Sequence, residues 1–180
     1  MIRIETVRLV VREHKLDDLE GLHALLSNAE NTYFIQDLRT NTLDETRQNL
    51  FVAMNESQLD HRTKVFLAIE EKSSGEYVGE IGYTIIARAE AGAVAEMGYF
   101  ILEEFWGKGY VTEAAKALLD YAFNTGGLIK IEASCNKTNY ASEKVMIKLG
   151  MTKEAEFLMH SVIEGQLYDR VCYRMLKSEW

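Results

Sequence analysis

The stretch Trp106-Gly107-Lys108-Gly109-Tyr110-Val111-Thr112-Glu113-Ala114 decides how the rest of the chain is read. Two glycines let the backbone come close to a ligand, and the helix predicted after them, running to Asn124, begins with N–H groups that have no partner inside it. A turn of this kind at the head of a helix binds phosphate well. On one side, an apolar strand predicted from Ala95 to Leu102 feeds the turn. On the other, Gly126-Gly127 stop the helix, Lys130 to Cys135 read as a strand, and Asn139 leads a second helix to Leu149, ended by Gly150.

The N-terminal part reads as an alternating strand, Glu5 to Glu13, with Val7, Leu9 and Val11 on one face and Arg8, Val10 and Arg12 on the other. Asp17-Asp18 open an amphipathic helix carrying Leu19, Leu22, Leu25 and Leu26. Thr42-Leu43-Asp44-Glu45 has the form of a capping box before Leu50, Phe51 and Met54. Strands follow at Val65 to Glu70 and Tyr77 to Ala87, joined by Ser73-Ser74-Gly75, and Glu154 to Ile163 with Tyr168 to Leu176 form a closing hairpin. The expected fold is α+β, with one mixed, mostly antiparallel sheet flanked by helices and residues 1–180 as a single domain.

Composition excludes several function classes. A chain of 180 residues that is 47% hydrophobic buries one sizeable core. A formal net charge of −8 argues against binding a nucleic-acid backbone. Between Glu70 and Glu104 lie eight glutamates against Lys72 and Arg88, a field that focuses an amine or is simply a solvated acidic face. Cys135 and Cys172 show no CxxC or His/Cys spacing, so reduced thiols are expected and no metal. His14, His23, His61 and His160 are read as structural, the first three at the surface. Without a signal-peptide pattern or a membrane-length apolar run, a soluble cytoplasmic protein is expected, with no membrane partner.

Taken together, the chain resembles the GNAT superfamily of N-acetyltransferases over nearly its whole length, in the branch of the ribosomal-protein-alanine acetyltransferases. The resemblance is carried by Glu5-Thr6-Val7-Arg8-Leu9, Gly79-Glu80-Ile81-Gly82, Ala95-Glu96-Met97-Gly98-Tyr99 through Glu113-Ala114, and Asn139 with Ser142, Lys148, Leu149, Gly150 and Met151. It implies acetyl-CoA as cosubstrate, a small-molecule or peptide amine as acceptor, and allows a homodimer. Two departures stand out. Trp106 and Val111 occupy the first and last places of the acyl-CoA loop, where the superfamily has Arg or Gln and Gly or Ala. Met146 occupies the place where many members have a tyrosine acid, leaving Ser142 as the candidate.

Acyl transfer to an amine needs a base for the ammonium proton, stabilisation of the carbonyl oxygen and a donor for the leaving thiolate. Glu96, at the head of the strand before the loop, is the candidate base, with burial among apolar neighbours expected to raise its pKa; the plain alternative is a strand-edge glutamate holding a backbone group or an arginine. Glu80 is the second candidate. Tyr99, Phe100 and Ile101 offer main-chain groups that a pantetheine arm can pair with as an added strand. Gly107, Gly109, Tyr110 and Val111 offer N–H groups to a pyrophosphate, and Thr112 adds a hydroxyl. Asn139 is placed to bond pantetheine amides and Ser142 to face the sulfur, although both also suit a helix cap and first turn.

Two function classes follow: an enzyme moving an acetyl group from acetyl-CoA to a primary amine (a protein N-terminus, a polyamine or a small amine) by direct attack in a ternary complex, or a non-catalytic acyl-CoA-binding or sensing module. A nucleotide-binding enzyme is weaker, since neither G-x-x-x-x-G-K-[ST] nor G-x-G-x-x-G occurs.

Overall fold

The computed structural model describes residues 1–180. In chain order the elements are β1 (Arg3–Glu5), β2 (Leu9–Glu13), α1 (Leu19–Ser27), α2 (Leu43–Glu56), β3 (Lys64–Glu71), β4 (Tyr77–Ala89), β5 (Gly92–Ile101), α3 (Tyr110–Asn124), β6 (Leu128–Asn136), α4 (Tyr140–Lys148), β7 (Thr152–Ile163) and β8 (Gln166–Leu176). The strands form one eight-stranded sheet in the order β1-β2-β3-β4-β5-β6-β8-β7. β5 and β6 run parallel, and α3 is the crossover such a pair requires. The β1/β2, β2/β3, β3/β4, β6/β8 and β7/β8 pairs are antiparallel. The mixed, mostly antiparallel sheet expected from the sequence is therefore present. The chain divides into two compact units, Met1–Thr84 with Gly98–Leu118, and Ile85–Met97 with Leu119–Trp180.

In the first unit, Leu9, Val11, Leu67, Ile69 and Ile81 are fully buried, as are Leu22 and Leu25 of α1 and Leu50 of α2. The capping box forms as expected: the Glu45 N–H donates to Thr42 Oγ1 (3.2 Å), and the Thr42 N–H to Glu45 Oε2 (3.3 Å). Of the apolar residues that follow the box, Leu50 is buried and Phe51 is exposed. The single strand expected over Glu5 to Glu13 is broken. Thr6 folds back on Leu9, its hydroxyl oxygen accepting the Leu9 N–H at 2.9 Å, and Val7 points into solvent. Val10 is buried together with Leu9 and Val11, so β2 is covered on both faces and its alternation misleads.

Two glycines of Gly79-Glu80-Ile81-Gly82 have a steric cause. A Cβ at Gly79 would lie 2.4 Å from the Phe100 carbonyl oxygen, and one at Gly82 would lie 2.0 Å from that of Val65. Neighbouring backbones pass too close for any side chain.

In the second unit, Ile131, Ala133 and Cys135 of β6 are buried on one face with Val171, Tyr173 and Met175 of β8. Phe123 of α3 packs near Trp180, whose indole donates to Asp120 Oδ1 (2.6 Å). The end of α4 is fixed by Gly150 at φ +77, with the Gly150 N–H bonded to the Ile147 carbonyl and that of Met151 to the Met146 carbonyl. Met146 is fully buried, so the position of the absent tyrosine acid faces the core, where a larger ring would have to displace its neighbours. β7 is the last strand of the sheet. Its pairing slips between Phe157 and Ser161, where Met159 takes φ +50 and its N–H donates to Asp169 Oδ1 (3.0 Å).

Candidate active site

In the first unit the glycine turn has the form its sequence implies. Gly107 and Gly109 sit at φ +73 and +79, a region that side chains disfavour, so backbone conformation requires glycine at both. The N–H groups of Gly107, Lys108 and Gly109 find no backbone acceptor, and the first return bond of α3 is Glu113 N–H to the Gly109 carbonyl (3.1 Å). The N–H groups of Tyr110, Val111 and Thr112 precede that bond, as the first turn of any helix dictates. The turn and helix head together offer a row of donors suited to an anion. Behind it, the Trp106 indole donates to the Ile101 carbonyl (3.0 Å), which engages one of the main-chain groups expected to face pantetheine.

A set of side chains that the sequence reading left without a role braces this turn. Glu113 accepts from the Thr6 hydroxyl (2.6 Å), the Arg8 N–H (2.8 Å) and Arg8 Nε (2.7 Å). Arg8 also donates to the Lys108 carbonyl (2.9 Å) and lies over the Tyr110 ring, 4.6 Å from its centre. The Tyr110 hydroxyl bonds Glu71, which raises its own pKa and lowers that of the carboxyl. Burial would raise the Glu113 carboxyl, but the bonds from Thr6 and Arg8 outweigh it and hold the group low.

Glu80 does not stand free. Its carboxylate accepts from His14 Nε2 (3.0 Å), and His14 Nδ1 lies 3.5 Å from Asp18, which is gripped by both terminal nitrogens of Arg12 (2.8 and 2.7 Å). His14 was expected at the surface and is instead buried, its side chain 0% exposed. Burial would lower its pKa, yet the two carboxylates that face it, Asp18 and Glu80, push it up to about 9. The Tyr77 hydroxyl is buried nearby with no partner.

In the second unit the surroundings of Glu96 differ from those expected. The side chain is 46% exposed rather than buried among apolar neighbours. It accepts from the Ser134 hydroxyl (2.8 Å) and from Arg170 (3.2 Å), and Arg170 Nε donates to Ser134 (3.1 Å). Asn139 caps α4, its Oδ1 taking the Ser142 N–H at 3.1 Å, and the Cys135 thiol donates to the Asn139 carbonyl (3.9 Å). Burial raises that thiol to about 11 against the pull of Ser142. Both cysteines are free, and no group of His, Cys, Asp or Glu is arranged to hold a metal.

Ser134 and Cys135 are successive residues of β6, so their side chains leave opposite faces of the strand. The structure thus sets Glu96, with Ser134 and Arg170, on one face of β6, and α4, which carries Ser142 and meets the sheet through the Cys135–Asn139 and Tyr173–Glu143 bonds, on the other. Arg170 and Ser134 carried no sequence signal, because they meet only through the β6/β8 pairing.

The chain belongs to the GNAT acetyltransferases: the sequence profile of the acetyltransferase (GNAT) domain matches residues 8–152. It is 28% identical over 180 residues to an uncharacterized N-acetyltransferase, p20, of Bacillus licheniformis, covering 100% of this chain and 99% of the other. A spermidine N(1)-acetyltransferase of Escherichia coli is 36% identical over 72 residues, 40% of this chain and 39% of that one. In fold it is similar to the ribosomal-protein-S5-alanine acetyltransferase of Vibrio fischeri, with a TM-score of 0.86 and 22% identity over 100% of this chain and 99% of that one. The protein is therefore an acetyl-CoA-dependent N-acetyltransferase. No helix is long and apolar enough to cross a membrane.

Proposed function

We propose that the enzyme acetylates a primary amine by direct attack on acetyl-CoA in a ternary complex, with residues 1–180 acting as one functional domain. The observation that carries this reading is the placement of the two candidate proton-transfer groups on opposite faces of β6. An amine arriving on the Glu96 side can give its proton to a carboxylate that Ser134 and Arg170 hold in place, directly or through one water. A thiolate leaving on the Ser142 side meets a hydroxyl able to donate a hydrogen bond to it. The N–H groups of Gly107, Gly109, Tyr110, Val111 and Thr112 take the pyrophosphate, and the main chain of Tyr99, Phe100 and Ile101 pairs with pantetheine. The cap bond of Asn139 uses its carbonyl oxygen and leaves its amide N–H donors for a pantetheine carbonyl.

Three acceptor classes fit: a protein N-terminus, a polyamine or a small amine. The open, charged surroundings of Glu96 and the chain's net charge of −8 favour a cation. A homodimer in the cytoplasm is the setting we propose, with apolar Phe157, Leu158 and Val162 exposed along β7 as candidate contacts. An acetyl-CoA thiol-release assay against N-terminal peptides, polyamines and aminoglycosides tests the reading. Release with one class identifies the acceptor. No release with any class, alongside tight CoA binding, favours the non-catalytic acyl-CoA-binding module instead.

A further inference from the structure

We propose that Arg8 is a positioning residue for the cosubstrate, its guanidinium holding the Gly107–Gly109 turn and the head of α3 in the conformation that receives the CoA pyrophosphate. The inference rests on the assignment of that turn to acetyl-CoA and supplies a role for Thr6 and Arg8, which the transfer chemistry leaves unused.

Three observations converge on it. First, Arg8 touches the turn and the helix at once: one nitrogen donates to the Lys108 carbonyl at 2.9 Å, another to Glu113 Oε2 at 2.7 Å, and its plane covers the Tyr110 ring. Lys108 lies between the two positive-φ glycines, so fixing its carbonyl fixes the plane of the peptide that joins it to Gly109. A two-glycine turn held only by its own torsions has more conformations to lose on binding than any other sequence.

Second, Glu113 sits in the first turn of α3, beneath the donors offered to the pyrophosphate. An uncompensated carboxylate there would repel the phosphates and cancel the helix-end field that attracts them. Arg8, with the Thr6 hydroxyl, neutralises and ties down that charge. Third, the geometry needs a planar fork. Its donors reach a carboxylate and a carbonyl simultaneously while its face lies on an aromatic ring, which a lysine ammonium cannot do.

The test is calorimetric titration of the full chain with CoA, comparing wild type with Arg8→Ala, Arg8→Lys and Gly109→Val, each well below its own unfolding temperature. Both Arg8 variants should bind CoA roughly ten- to a hundred-fold more weakly, the scale of losing charge-assisted bonds. A merely structural role would lower the unfolding temperature and leave the dissociation constant of the folded protein in place. Should Arg8→Ala prove unfolded, Arg8→Lys decides, because it keeps the charge and the aliphatic stem and loses only the fork. CoA affinity within about twofold of wild type in either folded Arg8 variant, with binding lost in Gly109→Val, overturns the role of Arg8 and leaves the turn assignment standing. Unchanged affinity in Gly109→Val overturns both.

Discussion

Two carboxylates on neighbouring strands of one sheet, Glu80 on β4 and Glu96 on β5, answer to different demands. Glu80 is mostly buried, bonded to a fully buried histidine and backed by Asp18 and Arg12, so every charge in its cluster is committed to another. Glu96 is half exposed and bonded to a hydroxyl and an arginine that solvent also reaches. A proton acceptor for an incoming amine must exchange partners during turnover, and a buried network resists that. The contrast favours a structural role for Glu80 and supports the proposal that Glu96 is the proton acceptor.

The largest effect that would break this contrast concerns stability. Glu80→Gln takes away the carboxylate bonded to the buried His14 and leaves only Asp18 facing it, and the unfolding free energy should fall by about 3 kcal/mol in denaturant titrations, with turnover of the folded protein nearly intact. A variant of full stability and poor turnover would reverse the assignment of the two residues.

Next in size is a pH effect. The carboxylates around His14 raise its folded pKa to about 9, above the ordinary imidazole value of 6.5. The folded state therefore binds the extra proton, and the stability gained is complete below about 6.5 and lost as pH rises through about 9. Over that window wild type should lose on the order of 3 kcal/mol that His14→Gln does not lose, as read from urea midpoints at several pH values.

On the chemical side, Glu96→Gln should keep CoA affinity and slow turnover by about 10²-fold at neutral pH, the deficit shrinking as alkali deprotonates the amine. Near-normal rates with an acceptor drawn from the panel would pass the role to solvent. The smallest effect expected is that of Ser142→Ala. Loss of one donor to a developing thiolate should slow turnover roughly tenfold and change the Michaelis constant for acetyl-CoA little. A raised Michaelis constant at normal turnover would make Ser142 a binding residue only. Because Met146 is fully buried, Met146→Tyr should destabilise α4 rather than restore the lost rate.

What the sequence disclosed follows from how local each feature is. The capping box at Thr42, the Asn139 cap, the glycine turn and the Gly150 stop each lie within a few residues, and all stand where they were expected. The break at Thr6 was hidden because the alternation of Val7, Leu9 and Val11 continues through it, and only the Thr6 side chain bonding Leu9 betrays the bend. His14 looked like a surface residue because its partners, Asp18 and Glu80, are charged and are brought to it by folding. Ser134, Arg170 and the brace of Arg8 on Glu113 join residues far apart in the chain, 36 and 105 positions respectively, and spacing cannot announce them.

The slip in β7 has a consequence for life in a crowded solution. A terminal strand carrying exposed Phe157, Leu158 and Val162 would ordinarily invite another chain to continue the ladder, the first step toward a fibre. Here the left-handed Met159 interrupts the regular spacing of donors and acceptors midway, and its N–H is already taken by Asp169. An incoming strand finds two short stubs out of step with each other, so apolar side chains can stay exposed for a partner to grip without turning the strand into a template for aggregation.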